Sequence, residues 1–149
     1  MKSEKEKSIK TISSFKGKNS FLSNFYPCVV RWHNHDFPSL EHAYQAAKAK
    51  FASDYETIKE LPTAADAKKH GKTIEIRDDW TNIRIKVMKE LVELKFSQNE
   101  DLKEKLLSTN DAELIEGNTW GDTYWGICKG KGENNLGKIL MLVRSKLKD

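Results

Sequence analysis

What this sequence has little of narrows it first. No apolar run approaches the roughly 20 residues that a membrane-crossing helix needs, so nothing in the chain reads as a helical span. The opening MKSEKEKSIK carries charge without an apolar segment, which argues against a secretory signal. It reads as a frayed tail passing into a strand at about Ile9 to Phe15. Cysteine is scarce. Cys28 and Cys128 lie far apart and form no CxxC pair. In a reducing compartment each reads as a small buried hydrophobe, not as half of a disulfide, and a cytoplasmic address is expected. There is no internal repeat, low-complexity linker or break in composition. No Walker A spacing occurs, and no nucleophilic serine or cysteine motif is visible. His33 and His35 alternate on a strand and share a face if that strand is regular. No further ligands stand at metal spacing around them, so no metal site is expected.

What is present suits one soluble globular domain. The chain has 149 residues, of which 38% are hydrophobic and 32% charged. Its 26 basic residues against 22 acidic ones leave a net charge of +4, a mild excess that favours an anionic ligand without requiring one. Residues 28–37 read as strand around a turn at Asn34, ended by Pro38. Ser39 is an N-cap candidate for a helix from about Leu40 to Phe51. Thr63 and Asp66 have capping-box spacing for a short helix that Gly71 closes. A longer helix spans about Thr81 to Phe96, with Ile83, Val87, Leu91 and Leu94 inward. Asn99 can cap the next helix, to about Leu107. Leu114 and Ile115 suggest a short strand, and residues 117–133 are irregular. A final helix covers about Asn135 to Leu147, with Leu136, Leu140, Val143 and Leu147 inward. Helices outnumber strands without regular alternation, which predicts an α+β fold: a helix-rich domain with a small, mainly antiparallel sheet. Residues 1–14 are assigned to the tail and first strand and 15–149 to the domain proper.

Three constellations could carry chemistry. Glu41, Gln45 and Lys48 stand at i, i+4 and i+7 on one helix, hence on one face, with His42 and Tyr44 among them and alanines between. A carboxylate can activate water or move a proton, and an amine of lowered pKa can attack a sugar aldehyde. The same spacing also describes a solvated helix face. The loop Gly117 to Gly126 sets two Trp-Gly pairs around Asp122. Its rings could stack on a flat base, or finish the core. The stretch Lys129 to Asn135 precedes a helix, where N–H groups and lysines can hold a phosphate, or it is a plain turn. Arg144, two to three turns into that helix, is a candidate for the same site.

Taken together these regions resemble the NADAR/YbiA-like N-glycosidase family. Phe21-Leu22-Ser23-Asn24-Phe25-Tyr26-Pro27 resembles its opening motif, and Glu41-His42-Ala43-Tyr44-Gln45-Ala46-Ala47-Lys48 its helical motif. Lys95-Phe96-Ser97-Gln98-Asn99, Asp122-Thr123-Tyr124-Trp125-Gly126 and Asn135-Leu136-Gly137-Lys138-Ile139-Leu140-Met141 with Arg144 match later blocks in order, from about residue 15 to 147. The chain departs from the family where Asn118-Thr119-Trp120-Gly121 stands in place of a frequent Pro-Asx.

The resemblance implies an enzyme that hydrolyses a ribose C1–N bond. Its substrates would be phosphoribosylamino-pyrimidine intermediates of riboflavin biosynthesis, or ADP-ribose on guanine, free or in nucleic acid. Carried over by motif, Lys48, Glu41 and Asp122 are the catalytic candidates. Asn24, Phe25, Tyr44, Gln45, Trp120, Trp125, Gly126, Asn135 and Arg144 are the substrate-binding ones. Either Lys48 attacks C1 and forms a Schiff base with the ring-opened sugar, or Glu41 or Asp122 activates water with Lys48 as an electrostatic clamp. Neither route needs a cofactor or a metal. The phosphate is expected between Lys129–Asn135 and Arg144. The alternative is a module that binds ADP-ribose or a modified base without cleaving it.

Overall fold

A computed structural model describes residues 10–148. The expected tail and Ile9 lie outside the described residues. The chain forms two compact units, Asn24–Glu100 and a second one whose described part is residues 10–23 and 101–148.

The first unit begins with a hairpin of β2 (Val30–Trp32) and β3 (His35–Phe37), antiparallel with Val30 opposite Phe37 and Trp32 opposite His35. His33 and Asn34 form the two-residue turn, both at positive φ (49° and 66°), the conformation that the strand twist favours there. His33 is therefore a turn residue and does not share a strand face with His35. Four helices follow: α1 (Leu40–Ala47), α2 (Ala52–Lys59), α3 (Ala64–Gly71) and α4 (Trp80–Gln98). α1 is buried along its whole length and packs on the other three, because Ala43 and Ala46 let them come close. α2 buries only Ile58, so no apolar stripe announces it in the sequence. On α4 the buried residues are Trp80, Met88, Leu91, Val92, Lys95 and Phe96. Ile83, Val87 and Leu94 are half-buried. The inward face is thus turned from the expected one, and the fully buried Lys95 lies within it.

The second unit pairs β1 (Thr11–Ile12) with β4 (Glu113–Leu114), and β5 (Gly117–Asn118) with β6 (Ile127–Cys128). Both ladders are parallel. The fold is α+β, but among the described residues its strands make three two-stranded ladders, two of them parallel, and not one mainly antiparallel sheet. Only β2 and β3 are joined by a tight turn. The other pairs are joined by long segments, which allow the parallel sense. This unit also holds a 3-10 helix (Gly17–Leu22), α5 (Glu100–Ser108, all but its first residue) and α6 (Asn135–Leu147). Its core gathers Phe15, Phe21, Leu22, Leu102, Leu106, Leu114, Leu136, Ile139, Leu140 and Val143. Gly137 is required by close approach, since a Cβ there would lie 2.0 Å from the Leu114 carbonyl oxygen.

Candidate active site

The start of α1 is held by a chain of polar contacts. The Ser39 hydroxyl accepts from the His42 N–H at 3.1 Å and lies 2.7 Å from His42 Nδ1. His42 Nε2 is 2.9 Å from the Leu61 carbonyl, which can only accept, so Nε2 carries the hydrogen and Nδ1 accepts from the hydroxyl. His42 is thus a buried bracket for the helix start, and such a cap stabilises by about 1 kcal/mol. The N–H of Glu41 donates to the Asn24 carbonyl at 3.0 Å, so the opening motif holds the same turn through its backbone. The Asn24 side chain donates to Met88 Sδ at 3.7 Å. Tyr44 packs its ring on Trp80, centroids 5.1 Å apart.

With the helix so placed, Glu41, Gln45 and Lys48 form one column. Glu41 and Gln45 are buried, each 6% exposed, and Gln45 Nε2 donates to Glu41 Oε2 at 2.6 Å. The other amide oxygen of Gln45 is buried with no hydrogen-bond partner among the described residues. It faces Gly71, where an added Cβ would lie 2.0 Å from that oxygen and 3.3 Å from Lys48 Cε. Lys48 is half-buried and caps the helix. The helix stops there, short of the expected Phe51, because the following strand-like segment takes over its carbonyls. Lys48 O accepts from Arg77 N–H at 3.0 Å and Ala47 O from the Arg77 guanidinium at 3.5 Å, beside a bridge of Ala49 to Ile76. Burial lowers the pKa of Lys48. Glu41 opposes that shift and Lys72 adds to it. The result is an amine that gives up its proton more readily than a surface lysine, with a carboxylate in its electrostatic reach. That is the character of an amine nucleophile with an acid–base partner.

A groove of about 340 Å³ in the same unit has Trp32, His33, Ala47, Tyr55, Arg77 and Glu90 among its lining residues. Glu41, Gln45 and Lys48 do not line it, and the chemistry of the column is of a different kind. Phe25 is exposed, with the Lys68 ammonium 5.7 Å from its ring centre.

The remaining sequence candidates lie in the second unit. Asp122 Oδ1 accepts from the N–H groups of Tyr124 (3.1 Å) and Trp125 (2.9 Å), while Asn118 bonds both the N–H and the carbonyl of Asp122. Half of this carboxylate therefore shapes its own loop. Trp125 is half-buried and meets Tyr124 edge-on at 4.9 Å, whereas Trp120 is exposed. Gly126 sits where a Cβ would lie 2.0 Å from the Glu116 carbonyl oxygen.

The expected phosphate cradle at the start of α6 is filled by the chain itself. The N–H groups of Glu133, Asn134, Asn135 and Leu136 donate to the carbonyls of Thr123, Gly126, Tyr124 and Trp125. The Asn135 side chain donates to Tyr124 O as well. Those four amides are engaged within the chain. Arg144 is buried and donates to Thr109 Oγ1 at 2.9 Å. Burial lowers its pKa, and Asp111 opposes that shift. Among the described residues no three His, Cys, Asp or Glu side chains gather as a metal site would need.

Sequence reasoning missed Gly71, Lys72 and Arg77. The signal for Gly71 was available: Ala67 and Gly71 stand at i and i+4, a small-residue pair that lets a neighbouring helix approach.

Comparison with known proteins adds an independent line. A family model described as NADAR domain matches residues 12–148. A riboflavin biosynthesis protein of Vibrio vulnificus is 40% identical over 134 residues, covering 88% of this chain. This chain spans only 36% of that protein's length. An N-glycosidase of Nostoc punctiforme is 35% identical, with 86% of this chain and 85% of the relative covered. The N-glycosidase YbiA of Escherichia coli is 33% identical, with 85% and 80% covered. The NMR structure of E. coli YbiA superposes with a TM-score of 0.83 at 31% identity, over 94% of this chain and 84% of that one.

Proposed function

This chain belongs to the NADAR family, and from that premise we propose that it is an N-glycosidase that hydrolyses a ribose C1–N bond, with Lys48 and Glu41 at the reacting atoms. The observation that carries the assignment to these residues is the Glu41–Gln45–Lys48 column: a buried carboxylate fixed by an amide, beside a half-buried lysine whose proton is held loosely.

The unprotonated Nζ of Lys48 forms a bond to C1 as the bond from C1 to the base nitrogen breaks, and the departing nitrogen takes up a proton. The ring oxygen takes a second proton as the sugar opens, leaving an imine between C1 and Nζ. Water adds to that carbon, the amine leaves, and the free sugar closes. One water is consumed and the lysine is regenerated. Glu41, whose charge is felt at Lys48 although it makes no ion pair with it, is proposed to relay protons to and from Nζ through water and to favour positive charge at C1. Asp122, part of whose carboxylate is bonded to its own loop, is proposed as a loop former first.

As substrates we favour phosphoribosylamino-pyrimidines, because the Vibrio relative and a maize chloroplast relative (32% identical) bear names of riboflavin biosynthesis. ADP-ribosyl-guanine, free or in nucleic acid, is the second class. Side-by-side turnover of the two decides between them. Lys48→Ala should abolish turnover with an unchanged circular dichroism spectrum. Borohydride should trap a covalent sugar adduct on wild type and none on the variant. A Lys48→Ala protein that keeps most of its activity would remove the nucleophile role. An active wild type that never yields an adduct would favour direct attack by water.

A further inference from the structure

A second lysine follows the residue that touches the Lys48 column. Gly71 is the last residue of α3, and its backbone lies against the Lys48 stem and the Gln45 amide. Lys72 follows directly as the helix C-cap and is exposed. Among the described residues neither Lys48 nor Lys72 has a carboxylate within ion-pair distance. Glu41, the nearest acid in charge terms, is buried and bonded to Gln45. The contact of Gly71 with the Lys48 stem sets Lys72 next in the chain to that lysine, and its positive charge works against a proton on Lys48. The negative end of the α3 dipole does not require this placement, since Lys68, Lys69 and His70 already occupy its last turn. An anion at Lys72 removes the repulsion and gains charge-assisted hydrogen bonds. The other candidate for an anion, the start of α6, has its amides taken by residues 123–126.

Resting on the N-glycosidase reading, we infer that Lys72 is the anion-binding residue of this site and takes the phosphate of a phosphorylated ribosyl substrate. The phosphate then lies near the reacting carbon, as the short span from C1 to the 5-phosphate of one ribose requires.

The test uses the full chain as wild type, Lys72→Met and Lys72→Arg. Binding of ribose 5-phosphate and of ribose is read from amide shifts, and turnover is measured on a phosphoribosyl substrate and its dephosphorylated form. Wild type should prefer the phosphorylated partner at least about tenfold, the scale of one lost charged hydrogen bond. Lys72→Met should lose that preference and Lys72→Arg should keep most of it. Retention of the preference in Lys72→Met, or its absence in wild type, would overturn the assignment. A protein that cleaves no N-ribosyl compound yet shows a Lys72-dependent phosphate preference supports the anion site while removing the N-glycosidase reading. Normal cleavage with an unchanged preference in Lys72→Met does the reverse.

Discussion

At the scale of single residues, the column depends on an atom that is missing. Gly71 has no Cβ, and the space is occupied by the Gln45 amide oxygen. In Gly71→Ala the new methyl, 2.0 Å from that oxygen, must displace the amide, and the 2.6 Å bond that orients Glu41 goes with it. The cost in stability should be about 1–3 kcal/mol, the usual range for overpacking. kcat should fall by more than KM rises, because the carboxylate is misplaced while the substrate's outer contacts remain. Urea denaturation and steady-state kinetics check the two parts. A variant with normal kcat would show that the orientation of Glu41 does not matter. The i, i+4, i+7 spacing of Glu41, Gln45 and Lys48 was legible because helical period is a local property. The role of Gly71 was not, since it exists only where α3 meets α1.

At the scale of elements, helix limits and loop interiors show what the surroundings add. The final helix matched its expected bounds, Asn135–Leu147, because its apolar spacing is regular. α1 ended early because residues 75–77 pair with the residues that would have continued it. α2 went unexpected because a helix with one buried side chain leaves no periodic mark. The loop around Asp122 separates a shaping carboxylate from a catalytic one by a simple comparison. Asp122→Asn keeps an oxygen for the Tyr124 and Trp125 N–H groups, whereas Asp122→Ala leaves both without it. If shaping is the main role, Asp122→Asn should retain stability and most activity. Asp122→Ala should then lose about 1–3 kcal/mol, the cost of unsatisfied donors. Melting temperature and kcat/KM measure this, and equal loss of activity in both variants with stability intact would restore a direct catalytic role.

At the scale of the whole molecule, Lys95 links folding to pH. It is fully buried on α4, 5.1 Å from the Phe96 ring centre and 5.7 Å from that of Tyr26. Burial brings its pKa down from 10.5 to about 8, with Cys28 opposing the shift. Between those values the unfolded chain binds the proton and the folded one does not, so folding gains stability as pH rises through that window. Below about 8 the full cost of burying the ammonium applies. Relative to Lys95→Met, wild type should gain up to about 1.4 kcal/mol per pH unit across the window. Urea denaturation at a series of pH values measures the difference, and parallel curves would contradict it. The sequence by itself determined the α+β character, most helices, the family resemblance and the Glu41–Lys48 face, because these rest on period, capping and motif order within short spans. Tertiary structure alone decided that Lys95 faces inward, that the first amides of α6 bond to their own loop, and that Gly71, with Lys72 next to it, comes up against Lys48. Burial, and the pairing of charges and hydrogen bonds across distant segments, are properties of neighbours in space, which no local pattern of residues contains.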